Sequence, residues 1–493
     1  ITAYVTLGNK YTWAKVSVIG TGVKVYTIPA TLQPNHPVSY AALENFSNRI
    51  LRDCDNAGFP FAKVIPAVDI LQNSQVAAVL TIDKGPYIHI DTVRIIPEPI
   101  VKQSFINPYL GIKIGKSYAE EVVEQLDKRI NSLEFIKLMR SSQVVFSNNK
   151  AKVNLFLGKQ KANVFDGLVG FQPRNDQSGK VDITGDAQLR LINSFRRGEE
   201  FNLRFRGLPN TTRQLQVKAS FPYLFASPIG LDAQFDLFKQ DTQYVDVTSE
   251  FGLQYIFIGA NYLKAFIRKK QSSIISTNNL ALVTTLPDFA DVTADLYGLA
   301  YRFNNTNRFV NPTKGLRLYA EIAAGTKKIV PNAELDVQLY QGVRLISQQY
   351  KGFAKLNQFV LLHKRSVIVL RGEIAALYTD RFFLNDLFRI GGNNTLRGFD
   401  EQSILASKYG IIAVEYRYLL EENSFLFGFF DQAYYENRMG KTPFTDDPYG
   451  FGAGLSIKTK AGNFSISYGI GKQFKNPIDL QGGKVHFGII NNF

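Results

Sequence analysis

Long apolar runs are missing from this chain, and so are most of the side chains from which reactive centres are made. No stretch approaches the roughly 18 to 20 consecutive apolar residues that a helical membrane span requires, although hydrophobic residues make up 45% of the 493. Helical insertion is thereby excluded. A single cysteine, Cys54, permits no intramolecular disulfide, and its place on an apolar helical face reads as that of a small buried residue. Four histidines and one thiol give no cluster for zinc. No Gly-x-Ser-x-Gly elbow or His-Glu-x-x-His pair is present. Gly115-Lys116-Ser117 ends like a phosphate loop, but the preceding Gly111 is one residue too close. Gly450-x-Gly452-x-Gly454 falls on one parity of a strand, not on a strand-to-helix turn. Neither an enzyme nor a cofactor is expected. No secretory signal precedes Ile1, so residues 1–10 are expected to be the remnant of a longer precursor.

Trp (1) and Met (2) are scarce while Tyr (24) and Phe (38) abound, a bias that suits strands and membrane-interface girdles. The formal charge of +15 does not point to nucleic acid, because Lys and Arg are dispersed and take the polar parity of strands, as in Asn202, Arg204 and Arg206 between Phe201, Leu203 and Phe205. That alternation recurs to the C-terminus. In Val485-His486-Phe487-Gly488-Ile489 one face carries Val485, Phe487 and Ile489, and Phe493 shares their parity. Repeated strands, apolar on one side and polar on the other, predict a transmembrane β-barrel.

The periodicity places strands at 164–171, 181–191, 201–208, 215–223, 231–239, 244–257, 262–270, 292–303, 316–324, 353–362, 367–378, 411–419, 425–435, 450–458, 464–471 and 484–493. These are sixteen, an even number, as single-chain bacterial barrels require. Residues 329–349 alternate weakly through Leu335, Val337 and Leu339 and are expected to extend a hairpin beyond the membrane. If the first strand rises from the periplasm, long connections follow odd strands. The stretch 379–409 does so, whereas 222–228 and 304–312 follow even strands and read as tight turns.

Before the barrel, two modules mix helix and strand, at 11–87 and 88–161. The first has strands near 13–19, 61–70 and 75–82 and a helix over 39–55, capped by Ser39 and ended by Gly58, with Leu43, Phe46, Ile50 and Leu51 on one face. The second has strands near 88–96, 142–146 and 152–157 and one main helix over 118–131.

Within 379–409 lies Gly391-Gly392-Asn393-Asn394-Thr395-Leu396-Arg397-Gly398-Phe399. Flanking glycines let the backbone turn sharply and deliver a guanidinium, the side chain best able to fork onto carboxylates. Parity turns Glu415 and Asp431, on the next two strands, toward the lumen, and suggests a loop folded inward and pinned by a charge-assisted pair.

Leu396-Arg397-Gly398-Phe399 and Phe429-Phe430-Asp431 resemble the loop-six and following-strand motifs of the BamA/TamA superfamily of outer-membrane insertases and translocators. Asn311-Pro312-Thr313-Lys314-Gly315 is similar to that family's Pro-x-x-Gly turn. Tyr449-Gly450-Phe451-Gly452-Ala453-Gly454 and Ser467-Tyr468-Gly469 are similar to its glycine-rich penultimate strands, and Ala57-Gly58-Phe59-Pro60-Phe61 resembles a turn of its POTRA domains. Gln432-Ala433 departs from the family's glycine after the Asp. The resemblance implies that Arg397, with Gly398 and Phe399, locks onto Asp431 and Glu415. It implies a C-terminal strand signal at Phe487, Ile489 and Phe493, and a POTRA turn at Gly58, Phe59 and Pro60. The implied fold is a sixteen-stranded antiparallel barrel with periplasmic α+β POTRA-like modules in a bacterial outer membrane. The implied partners are client polypeptides, the lipid bilayer and accessory envelope proteins, without nucleic acid. Three functions stand side by side: insertion or export of clients through a lateral seam between first and last strands, weakened by Gly482, Gly483 and Gly488; a two-partner secretion pore with one dedicated substrate; and a passive channel.

Overall fold

A computed structural model describes residues 10–20, 22, 24–173, 181–208, 212–257, 259, 261–276, 283, 285–308, 311–440, 442–459, 462–474, 476–478 and 482–492. Residues 1–9, most of the expected remnant, lie outside them, as do Phe493 and the Ile489 side chain.

Two small sheets repeat one topology near the N-terminus. In the first, β1 (Thr12–Ile19) is followed by α1 (Tyr40–Asn56), β2 (Lys63–Ile70) and β3 (Gln75–Asp83), in the order β1-β3-β2. Strand β1 runs parallel to β3 and β2 antiparallel to it. Ser39 caps α1 by accepting the Ala42 N–H at 3.2 Å. The helix lays Leu43, Phe46, Ile50 and Cys54 against Trp13, Leu32 and Leu80. The second sheet uses β4 (His89–Ile96), α2 (Gln103–Leu110), α3 (Glu120–Glu124), α4 (Leu126–Asn131), β5 (Ile136–Ser147) and β6 (Lys150–Lys159), in the order β4-β6-β5 with β4 parallel to β6.

Here the helical expectation needs correction. The single helix over 118–131 is two short ones broken at Gln125, which buries Leu126 and Ile130 but leaves Val122 and Val123 half-buried. Helix α2 was not foreseen because Pro108 lies inside it, and proline lacks the N–H a helix interior needs. Burial of Phe105, Ile106, Tyr109 and Leu110 outweighs that loss.

Contacts divide the chain into two compact units, Ile1–Pro99 with Leu110–Asp127 and Leu138–Leu157, and Ile100–Tyr109 with Lys128–Lys137 and Gly158–Phe493. In the second unit, Phe105 packs on Tyr109, Phe135 and Tyr223 at 5.5 to 5.9 Å between ring centroids.

The second unit is a closed antiparallel barrel. Its strands are β7 (Val164–Pro173), β8 (Val181–Ile192), β9 (Glu200–Gly207), β10 (Arg213–Phe221), β11 (Ile229–Gln240), β12 (Tyr244–Ile256), β13 (Tyr262–Ile274), β14 (Val292–Asn304), β15 (Gly315–Ile329), β16 (Ile346–His363) and β17 (Ser366–Thr379). After a connection carrying the ribbon of β18 (Phe388–Ile390) and β19 (Ile404–Ala406) come β20 (Lys408–Glu421) and β21 (Ser424–Asn437). A short β22 (Phe444–Asp446) extends the hairpin to β23 (Tyr449–Thr459), and β24 (Gly462–Lys472) and β25 (Lys484–Asn492) close the cylinder on β7. Setting aside the three short strands, sixteen span the wall among the described residues, as the alternation predicts.

Parity sorts the side chains. On β20, Ile412 is 69% exposed to the outside while its neighbour Ala413 is 1% exposed. Val485 and Phe487 likewise point outward. Arg204 and Arg206 point inward and both reach Asp186. The hairpin of β15 and β16 is longer than expected, pairing out to Lys328 and Ile346. Its tip is not a strand, however: Val337–Tyr340 is a 3-10 turn, and Tyr340 and the preceding Leu335 are drawn into an apolar cluster with Phe383.

Candidate functional site

The connection between β17 and β20 turns back into the barrel. Gly391, Gly392 and Gly398 have φ of +112°, +92° and +90°, a region L-residues rarely adopt. They bring Arg397 to the inner wall, where it is 4% exposed. Its Nε and Nη2 donate to the two oxygens of Asp431 at 2.8 and 2.6 Å, its backbone N–H donates to Asp431 Oδ2 at 3.1 Å, and its Nη1 donates to Glu415. The guanidinium also lies 3.7 Å above the centre of the Phe429 ring. Asp431 is fully buried. Such charges are tolerable away from water only when paired and hydrogen-bonded on every side. Arg417 Nε holds the other Glu415 oxygen at 2.7 Å, and Arg371 lies 3.4 Å from Asp431.

The glycine-rich strands explain how backbone can come so near. A side chain at Gly450 would collide with the Arg397 carbonyl, and one at Gly471 would lie 2.6 Å from the Gly398 carbonyl and 2.7 Å from the Phe399 ring. A Cβ at Gly398 itself would fall 2.6 Å from the Ile470 carbonyl oxygen. Gly452 and Gly469 make room for the Phe429 ring. Glycine is used here for close approach, so the stripe on β23 and β24 is a groove cut to the shape of the Arg397-Gly398-Phe399 tip. Gln432, where a glycine was expected, spans the start of the next hairpin by donating to the Asp447 and Ala433 carbonyls at 3.0 Å.

Other anchors were not foreseen. Lys327, at the far end of β15, is fully buried, forms an ion pair with Asp386 and donates to the Arg381 carbonyl at 2.8 Å. Asn385 donates to the Ala290 carbonyl at 2.9 Å and also to Ser272. Arg389 bonds the Tyr244 hydroxyl and lies 4.7 Å over the Phe238 ring, and Gln402 reaches Gln214 on β10 at 3.3 Å. Asp400 pairs with Lys484, the first residue of β25, at 2.7 Å. Lys327 lies beyond the strand expected at 316–324, and nothing in the sequence marks Asp386 as its partner. Between the anchors, Ile390, Leu396, Phe399 and Ile404 form an apolar core with Tyr409, Ile411 and Tyr435 of the wall.

The remaining candidate residues belong to other elements. Gly58 has φ +96° and sits where a Cβ would strike the Tyr87 ring at 2.6 Å; its carbonyl accepts the Ile88 N–H at 2.8 Å. Phe59 packs edge-on to Tyr87 at 5.5 Å, and Pro60 is half-buried beside it. The turn thus joins the end of α1 to the start of the next strand. Phe487 lies on the closing strand, whose register with β7 runs from Phe487↔Val169 to Asn492↔Val164. Among the described residues Lys484–His486 have no partner on β7, although all three pair with β24. Gly482 and Gly483 precede β25, so Gly488 alone of the three glycines weakens the strand itself. Among the described residues no group of His, Cys, Asp and Glu is arranged to hold a metal ion.

A family model described as the Omp85 superfamily domain matches residues 193–493. None of the curated proteins compared with the chain matches it. Among solved structures, CdiB from Acinetobacter baumannii is similar at 13% identity, covering 99% of this chain and 91% of that one with a TM-score of 0.60. CdiB from Escherichia coli is similar at 13% identity over 100% and 92%, also with a TM-score of 0.60. BamA from Haemophilus ducreyi lacking POTRA domains 1-3 is similar at 13% identity over 98% and 100%, with a TM-score of 0.49. The CdiB likenesses show a shared fold.

Proposed function

This chain belongs to the Omp85 superfamily of outer-membrane insertases and translocators, and on that premise we propose that it captures client polypeptides on periplasmic N-terminal modules and inserts or exports them through a barrel whose seam opens sideways. The observation that carries this reading is the short register between β25 and β7, which among the described residues leaves the start of β25 without a partner across the junction. In lipid every backbone donor needs an acceptor, so an incompletely paired seam is a ready template for an incoming strand. The modules at 11–87 and 88–161 supply a matching feature. Strands β2 and β5 are sheet edges with largely exposed side chains, suited to recruiting an extended chain by backbone pairing.

Arg397, Glu415 and Asp431 serve in this account as a lock that keeps the loop in the lumen while the seam works. A passive channel fits less well, because the loop is bound to the wall at several points around the circumference. The test is a cysteine pair at Gly488 and Leu168, which face each other across the seam. Crosslinked protein in liposomes should neither assemble a denatured barrel client nor release a secreted one, and reduction should restore activity. Full activity with the crosslink verified would end the gate reading.

A further inference from the structure

A cavity of about 650 Å³ lies against the inner faces of β10 to β16, toward the barrel end where the turns are short. It is distinct from the groove that takes the Arg397 tip, which belongs to β20 through β24. Three of its cations are matched: Lys264 by Glu250 at 2.6 Å, Arg268 by Glu321 at 3.0 Å and Lys355 by Glu373 at 2.7 Å. Lys218 and Arg302 are not. Among the described residues neither has a carboxylate within ion-pair distance, and Arg302 merely lies 6.0 Å from the centre of the Tyr262 ring. Both are half-buried inside a cylinder, where low-dielectric walls focus the field of an uncompensated charge. The nearest carboxylates that act on them, Glu200 and Glu134, are already ion-paired with Arg190, and the lining holds more cations than carboxylates, so the cavity carries surplus positive charge. That surplus is a binding preference for anions.

The occupant can be narrowed further. Strands β10 to β16 are hydrogen-bonded to one another without a break, so no lipid chain enters from the bilayer through this wall, and their backbone groups are spent on the barrel. Recognition is left to side chains. The lining is rich in amide and charged groups, such as Gln216, Gln234 and Asn357. The volume falls within the range of small-ligand pockets, enough for a few residues of extended chain. We propose that this vestibule docks acidic stretches of unfolded polypeptide, with carboxylates held by Lys218 and Arg302. The occupant, though not the charge, rests on the polypeptide-handling function proposed above.

The test uses the full chain in non-ionic micelles and follows fluorescence anisotropy of labelled hexaglutamate and hexaglutamine. Hexaglutamate should bind, weaken on addition of salt, and weaken by about tenfold when Lys218→Gln and Arg302→Gln are combined, a loss of about 1.4 kcal/mol. Hexaglutamine should not bind. Heat-modifiable mobility shows that the variant barrel is folded, and Arg302→Lys should retain most of the affinity. Equal binding of the two peptides, or wild-type hexaglutamate affinity in the folded double variant, would overturn the site. So would displacement by triphosphate or phosphatidylglycerol at concentrations where free acidic peptide does not compete, since that would assign the cations to phosphate. Client assembly that survives without hexaglutamate binding sinks this site alone. Peptide binding without client assembly sinks the function proposed above and leaves the site standing.

Discussion

Replacing Arg397 by alanine removes the guanidinium that faces both Asp431 and Glu415 and leaves two buried carboxylates, 0% and 6% exposed, on adjacent strands. Breaking a buried pair from one side costs about 3–5 kcal/mol, because the remaining charge stays desolvated. Arg371 at 3.4 Å and Arg417 at 2.7 Å persist as partial counter-charges, and the Asp431 contact with the residue-397 backbone N–H survives the change. These bring the expected cost to the lower end, about 3 kcal/mol, or on the order of 100-fold in the balance between docked and released tip. Hydrogen exchange followed by mass spectrometry should report that factor in the amides of 391–404. Exchange in β15 and β16 should stay unchanged. Arg397→Lys keeps the charge but not the fork, and should fall between wild type and alanine. Unchanged protection of the tip in Arg397→Ala would refute the lock, and loss of protection throughout the barrel would show that Arg397 holds the wall rather than the loop.

Three further outcomes follow from the same geometry. Lys327→Met strands Asp386 in a buried site and should loosen residues 381–390 by about 3–5 kcal/mol while 396–399 stays protected; simultaneous loosening of both stretches would mean one anchor, not two. Gly450→Ala places a methyl group on the Arg397 carbonyl and should release the tip at a cost of about 1–3 kcal/mol, whereas Gly372→Ala, with nothing within 4 Å, should behave as wild type in the same exchange experiment. Burial, reinforced by Asp55 and Asp53, pushes the Cys54 thiol above its ordinary value. A thiol-exchange assay should find it on the order of 100-fold slower than a free thiol, waiting on a local opening of about 3 kcal/mol. Because the unfolded thiol ionises first, at about 8.5, this group's contribution to stability is intact below that pH and declines as pH rises through it.

The barrel was legible because its signal is a period of two repeated sixteen times, and a slip of one residue would turn every apolar face inward. Glu415 and Asp431 could be placed for the same reason: parity fixes the face, and two strands adjacent in sequence are adjacent in a meander. Asp386 could not, since parity says nothing about a residue in an irregular loop and its partner Lys327 is separated from it by a hairpin. The break at Gln125 and the helix around Pro108 were hidden differently. Both are decided by which apolar side chains the rest of the fold buries, and propensity ranks the local alternatives in the opposite order.

The way the loop is held also bears on the seam. A water-filled lumen offers little apolar surface, so a loop stays inside it either by a compact apolar core or by buried charge pairs, and this one uses both. An apolar core yields gradually as its parts separate, but a buried bidentate pair loses most of its energy once its geometry is disturbed. Arg397 and Asp400 tie the loop to β20, β21 and β25, and Asp386, Asn385 and Gln402 tie it to β15, β13 and β10. Lys484 belongs to the strand that must move if the seam opens, and it holds Asp400 only three residues from Arg397. Displacing β25 outward therefore strains the loop at its tip while the contacts of Asn385 and Asp386 on β13 and β15 keep its other end in place. Two states that differ in such contacts are what a ligand can bias, and under the function proposed above that ligand would be a polypeptide strand pairing with β25.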